Sequence, residues 1–316
     1  MHKGELIKLS LVVPVFNESE TVGLFLERIK QVFGKIDTIS LDIVFINDGS
    51  SDDTLERLIE LQKNNPFLRI VDLSRNFGKE AALTAGLKVA SGQVIVPIDV
   101  DLQDPPELIL QMLEKWQEGF DVVLGKRINR ESDSWAKQKS ATWFYRIHNI
   151  ISTPQVPENV GDFRLMDRAV VDAVNELPES RRFMKGLFSW VGFRTVAVEY
   201  SRPERVAGTT KFNGWRLWNF ALEGVTSFST APLRIWTYLG GVVAITSFFF
   251  AIFMVLKVLI YGKDVPGYAS VVVAVSFLGG LQLIGIGVIG EYLGRAYIES
   301  KRRPIYLVRR IYEPKD

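Results

Sequence analysis

Two stretches near the C-terminus limit the possible fold more than any other feature of the chain. Between Arg234 and Lys257 no residue carries a charge. After a short Tyr261-Gly-Lys-Asp-Val-Pro-Gly267 break, Tyr268 to Gly290 is again uncharged. Each run exceeds the roughly 20 residues that cross a bilayer core. Two in succession predict a transmembrane hairpin rather than a buried helical pair in a soluble core. The break is too short to be a domain, so head and tail share one side. The tail carries Arg295, Lys301, Arg302, Arg303, Arg309 and Arg310, against Lys263 in the break. By the positive-inside rule that side is the cytosol. Gly279, Gly280, Gly285, Gly287 and Gly290 permit close helix packing, and with it a homo-oligomer. Met1 to Glu18 lacks a long apolar core and a small-residue cleavage site, so no signal peptide is expected.

Upstream, apolar runs alternate with helical patterns. Strands are expected at Ile7 to Val15, Leu41 to Asn47, Phe67 to Leu73, Val94 to Ile98 and Asp121 to Leu124. The helix after Ser19 shows Val22, Phe25, Leu26, Ile29, Val32 and Phe33 on one stripe. Alternation at this spacing predicts an α/β head with a largely parallel sheet covered on both faces. Further helices are expected over Trp135 to Ile151, Arg168 to Leu177 and Arg181 to Trp190, with an outer strand at Thr195 to Tyr200. The polar loops follow strands, so they gather on one edge of the sheet, where open α/β sheets bind ligands.

What that edge can do is narrowed by what the chain lacks. There is no cysteine, and His2 and His148 are the only histidines, which excludes thiolate chemistry and a histidine-rich metal site. With 38 Lys and Arg against 36 Asp and Glu, the net charge of +2 gives no support to nucleic-acid binding. Neither a Gly-x-Gly-x-x-Gly loop nor a Gly-Lys-Ser/Thr loop is present. Catalysis must therefore rest on carboxylates, Arg, Lys and metal. The acids needed stand at the end of the fourth strand, as Asp99, Asp101 and Asp104, followed by Pro105 and Pro106. Such a cluster is either a solvated turn capping the next helix or a set of oxygen ligands for a divalent cation holding a phosphorylated donor. Asp162 and Arg164 lie among apolar residues in Asn159 to Met166, where they could simply pair with each other.

Arg202-Pro-Glu-Arg-Val-Ala-Gly-Thr-Thr-Lys211 joins three cations to a glycine and two hydroxyls, a candidate anion-binding loop or a juxtamembrane basic patch. Phe212 to Phe228, with Trp215, Trp218 and Phe220, suits a helix lying in the membrane interface. A phosphate-binding loop joined to a membrane-surface helix makes a phosphorylated lipid a natural ligand. The expected division is a head over residues 1–211, interfacial helices over 212–232, the hairpin over 233–298 and a basic tail over 299–316.

Taken together, Pro14-Val-Phe-Asn-Glu18, Asn47-Asp-Gly-Ser-Ser-Asp52, Ser74-Arg-Asn-Phe-Gly-Lys-Glu80, Asp99-Val-Asp101 with Leu102-Gln-Asp-Pro-Pro106, Gly161-Asp-Phe-Arg164 and Arg202-x-x-Arg-x-x-Gly-x-Thr-Lys211 resemble one family. The ordered set is similar to the polyisoprenyl-phosphate glycosyltransferases of inverting glycosyltransferase family two. That group includes bactoprenol glucosyltransferases, dolichol-phosphate mannose synthases and aminoarabinose-transferring relatives. The resemblance covers nearly the full length. It implies a GT-A fold, a Rossmann-like, mostly parallel sheet, on two transmembrane helices in a bacterial inner membrane. It also implies a nucleotide-sugar donor and a polyisoprenyl phosphate acceptor. Pro14, Phe16, Glu18 and Lys79 would line the donor pocket, Asp48 would contact the base, and Asp99 would lie near the ribose or diphosphate. Asp101, helped by Asp99 and Gln103, would hold Mg²⁺ or Mn²⁺. Asp162 matches the position considered for the catalytic base. Arg202, Arg205 and Lys211, with Arg164, would hold the donor and acceptor phosphates, Arg205 taking part in catalysis.

The motif set looks most like that of the glucosyl enzymes, which points to UDP-glucose and undecaprenyl phosphate, with GDP-mannose and dolichyl phosphate as the alternative. A processive polysaccharide synthase would show Gln-x-x-Arg-Trp where this chain has Arg182 to Trp190, and would have more spans. An aspartyl-phosphate phosphatase would have Thr or Val in place of Gln103. A non-catalytic scaffold would have no need of Glu18, Asp48, Asp99, Asp101 and Arg205 all intact.

Overall fold

A computed structural model describes residues 6–128, 160–180, 182–201, 231–262 and 267–314. The aromatic helix expected from Trp135 to Ile151, the Arg202 to Lys211 loop and the interfacial helix expected after it lie outside these residues.

The head is built on β1 (Ile7–Val15), β2 (Ile39–Asn47), β3 (Leu68–Leu73), β4 (Val94–Pro97), β5 (Val122–Arg127), β6 (Val160–Asp167) and β7 (Thr195–Tyr200). An eighth strand, β8 (Val308–Tyr312), joins the same sheet, in the order β7-β5-β6-β4-β1-β2-β3-β8. β1 pairs in parallel with β2 and β4, β2 with β3, and β5 with β7; β6 runs antiparallel between β4 and β5, and β8 antiparallel to β3. The expected α/β architecture with a mostly parallel sheet is thus what the chain forms.

Side chains that alternate along each strand divide the core into two layers. Leu11, Val13, Phe45 and Val96 face α1 (Thr21–Phe33), α2 (Thr54–Lys63) and α4 (Leu108–Gln117). Val12, Val44, Ile46 and Met166 face α3 (Lys79–Val89), α5 (Arg168–Glu176) and α6 (Met184–Trp190). Burial on both faces explains why β1 reads as a nearly unbroken apolar run. α3 is rich in alanine because it lies close to the sheet: a Cβ on Gly86 would run into Val12 and Ile46.

Two differences from the sequence reading have physical causes. Residues 299–316 were expected to be a plain basic tail, yet β8 completes the sheet edge. Its Arg309 lies 3.5 Å from Asp72, Arg69 Nε donates to Glu313 at 2.8 Å, and Gln62 Nε2 donates to the Tyr312 carbonyl at 2.9 Å. Charged residues on an edge strand mask its period-two pattern, as they commonly do to discourage edge pairing. The helix expected from Arg181 begins only at Met184, because Arg182 turns back to the carbonyls of Val174 and Leu177.

After the head come α7 (Ala231–Tyr261) and α8 (Tyr268–Ser300). Among the described residues one run, Phe277–Ser300 in α8, is long and apolar enough to cross a membrane, while the apolar part of α7, Tyr238–Phe250, is shorter. The helices meet where Trp236 lies over Gly285, a position with no room for a Cβ.

Candidate active site

Where β1 and β4 diverge, the strand order reverses and their C-terminal ends open a crevice, the place a parallel sheet offers a ligand. A cleft of about 330 Å³ fills it. Its walls include Pro14, Phe16, Glu18, Asp48, Lys79, Asp99 and Asp101. Every position expected to line the donor pocket is brought together here, with Val15, Asn76, Gly78, Ala82 and Val100 added. These five had no individual signal, since a backbone wall can be built from many side chains.

Interlocking loops shape the cleft. Asn17, at φ 56°, accepts from Ser51 N at 2.8 Å, and Glu18 N donates to Thr54 Oγ1 at 2.9 Å, which ties the first loop to the second. Asp48 accepts from the backbone N–H groups of Phe77 at 2.7 Å and Gly78 at 2.9 Å, so both its oxygens pin the third loop. Burial raises the Asp48 carboxyl above its usual range, opposed by those two donors and by Arg75. Gly49 turns at φ 65°, and a Cβ there would run into the backbone of Arg75 and Asn76. Gly49→Ala is therefore expected to destabilise the head by about 2 kcal/mol. Denaturant titration checks this; an unchanged midpoint contradicts the close approach.

The acids are not equivalent. Lys79 Nζ lies 2.7 Å from Asp99 and 3.1 Å from Asp162, bridging the end of β4 to β6. Burial alone would lower the Lys79 ammonium, but Asp99 and Asp162 outweigh it and raise its pKa. Burial would likewise raise Asp162; Lys79, Lys185 and Arg164 reverse this and hold it below the usual carboxylate range. Asp101 Oδ1 accepts from Gln103 N at 3.2 Å across Leu102, which is held at φ 56°. Asp104 is turned away from the cleft. It accepts from Tyr200 Oη, with Arg127 3.6 Å away, and so fastens the end of β7.

The donor set suits a divalent cation on one side only. Asp101 accepts from the Gln103 backbone, and Gln103 Oε1 is a buried oxygen to which no described group donates a hydrogen bond. Asp99 already has Lys79 as its cation. Among the described residues no three acidic or histidine side chains converge. Two protein oxygens match Mg²⁺, which keeps several waters and takes its remaining ligands from substrate phosphates. Arg202, Arg205 and Lys211 lie outside the described residues.

Arg164 does not pair with Asp162 directly. It is 4% exposed, donates from Nη2 to the Gly161 carbonyl at 2.9 Å and lies 4.3 Å over the Phe188 ring. Glu80 was part of a motif with no assigned role. It accepts from Met184 N at 3.3 Å, joining α3 to the start of α6. Burial, then the nearby Asp162, push its pKa from 4.5 to about 7. A carboxyl raised in the folded state lowers stability as pH climbs from 4.5 to about 7. Glu80→Gln should therefore melt higher than the native chain at pH 8, with the difference fading toward pH 5. Equal melting at both pH values would contradict this charge burial.

Comparison with known proteins adds identity to this geometry. The pattern of Glycosyl transferase family 2 matches residues 10–174. The prophage bactoprenol glucosyl transferase homolog of Escherichia coli K12 is 54% identical over 96% of this chain and 99% of its own length. The bactoprenol glucosyl transferase of Shigella phage SfV is 55% identical over 96% of this chain and 98% of its own. With its motif loops gathered at one sheet edge, the chain belongs to glycosyl transferase family 2.

Proposed function

We propose that the protein transfers a glucosyl group from UDP-glucose to the phosphate of undecaprenol, with inversion, at a membrane surface. The observation that carries this reading is the 54–55% identity, over nearly the whole chain, to proteins named bactoprenol glucosyl transferase. The cleft supports it: a nucleoside diphosphate would lie against Phe16 and Asp48, its sugar pointing toward Asp99 and Lys79. Both long helices would lie in the bilayer, which accounts for Phe248, Phe249 and Phe250 on α7 and Phe277, Leu283 and Ile286 on α8 standing exposed. The bacterial inner membrane, with the head cytosolic, is the setting this implies.

The reaction is one in-line displacement. A phosphate oxygen of the acceptor forms the bond to the anomeric carbon while the bond to the β-phosphate oxygen breaks, and UDP leaves with the electron pair. Asp101 and Gln103 would hold Mg²⁺ or Mn²⁺, which supplies charge neutralisation on the leaving diphosphate. Lys79 favours the ionised form of Asp162 and would hold Asp99 and Asp162 in place beside the sugar. Arg202, Arg205 and Lys211 would bring cations to the phosphates from the membrane side.

Asp162 acts by position rather than as a base. Its depressed pKa makes it a weak proton acceptor, and a phosphate monoester with a second pKa of about 6 is already mostly dianionic. Asp162→Asn should lower turnover by less than about tenfold, whereas loss of a general base costs about 10²–10⁴. A loss in that larger range would restore the base. The function itself is tested by giving membranes containing the protein polyprenyl phosphate and, separately, labelled UDP-glucose, UDP-N-acetylglucosamine and GDP-mannose. Only the glucose label should become extractable into organic solvent; mannose label there would overturn the donor assignment.

A further inference from the structure

A second cavity lies outside the donor cleft, between the sheet face of β5, β6 and β7 and helix α6. It measures about 150 Å³, and its polar lining is Arg164, Lys185, Ser189 and Thr195, with Phe188 and Phe193 among its apolar walls. That is room for several waters, enough for a phosphate group. Arg164 is the unusual member. It is 4% exposed, one Nη is committed to the Gly161 carbonyl, and no described group accepts from its buried Nε. A buried guanidinium with an unused donor calls for an anion, because charge removed from water needs both a counter-charge and hydrogen bonds.

The neighbouring acids do not meet that need. Asp162 is held by Lys79 at 3.1 Å, and Glu80 accepts from Met184 N. Burial draws the Arg164 guanidinium down to about 10 despite Asp162 and Glu80, so it stays charged at neutral pH and incompletely balanced. Lys185 adds a second cation on the same cavity wall. The segment leading into α6 is also tied to the membrane helices: Ser180 N donates to the Glu299 carboxylate at 2.9 and 3.1 Å, at the end of α8.

We infer that this cavity is a phosphate subsite, in which Arg164 and Lys185 hold the phosphomonoester head of the lipid acceptor or, without it, free inorganic phosphate. The lipid assignment rests on the acceptor reading above; the phosphate chemistry of the cavity does not. Lys185 then belongs to acceptor binding, a role no sequence motif pointed to.

The test uses the full-length chain in bilayer discs. Inorganic phosphate is titrated calorimetrically into the native protein, Lys185→Gln and Lys185→Arg, and the acceptor KM and UDP affinity are measured for each. Loss of one charged hydrogen bond should weaken phosphate binding and raise the acceptor KM about tenfold in Lys185→Gln. Lys185→Arg should recover most of both, and UDP affinity should not move. Weakened phosphate binding with an unchanged acceptor KM would support the subsite but assign it to free phosphate. Equal phosphate affinity in all three proteins would overturn it. Should the native chain transfer no sugar from any donor, the functional reading fails while the phosphate titration still decides the cavity.

Discussion

Asp101→Ala is expected to reduce sugar transfer by about a hundredfold to a thousandfold while leaving folding and membrane insertion intact. Asp101 lines the cleft and accepts from the backbone N–H of Gln103, whose Oε1 is a buried oxygen to which no described group donates. In the proposed mechanism the charge developing on the departing diphosphate is met there, and interactions of that kind commonly contribute a hundredfold to a thousandfold each. Truncation removes a charged side chain at the cleft and leaves no apolar void, so stability should change by less than about 1 kcal/mol. Transfer assays at saturating Mg²⁺ and Mn²⁺, with a melting curve as control, read both quantities. Activity above a tenth of native would remove Asp101 from the metal assignment.

The second large effect is expected at Lys79. Its ammonium contacts Asp99 at 2.7 Å and Asp162 at 3.1 Å, so it connects the proposed donor side with the acceptor side. Lys79→Met leaves two neighbouring carboxylates without their shared cation. Turnover should fall by about 10²–10³, and the acid limb of the pH–rate profile should move to higher pH, since removing a cation raises a carboxyl pKa. Lys79→Arg should recover part of the rate. The side chain is 44% exposed, so solvent screening limits the stability loss to about 1 kcal/mol. An unshifted pH profile would reduce Lys79 to a structural bridge.

The two residues illustrate what the sequence makes readable. Strands buried on both faces announce themselves as apolar runs, so β1 was expected at the bounds it has, and the acids closing β4 marked the sheet edge. Phe16, Glu18, Asp48, Asp99 and Asp101 meet in one cleft because each directly follows a strand or loop of the same edge. Long-range partnerships were not readable. Nothing local shows that the cation on Asp162 is Lys79, that Arg164 turns to Phe188, or that Asp104 faces Tyr200 instead of the cleft. Each depends on which strands become neighbours. β8 was hidden for a different reason: its charged edge pattern resembles a basic tail, and only pairing with β3 reveals it. That pairing reaches the cleft, because Ser74, which opens the third loop, donates its N–H to the Leu307 carbonyl at 2.9 Å.

The central claim is that one chain moves glucose from a nucleotide onto a lipid phosphate with inversion. The measurement that meets it most directly supplies the purified protein, in bilayers containing undecaprenyl phosphate, with radiolabelled UDP-glucose and a divalent cation. Label should enter a single organic-soluble product in step with UDP release, and NMR of that product should show a β-linked glucosyl phosphate. UDP release with no labelled lipid, or an α-linked product, would contradict the account.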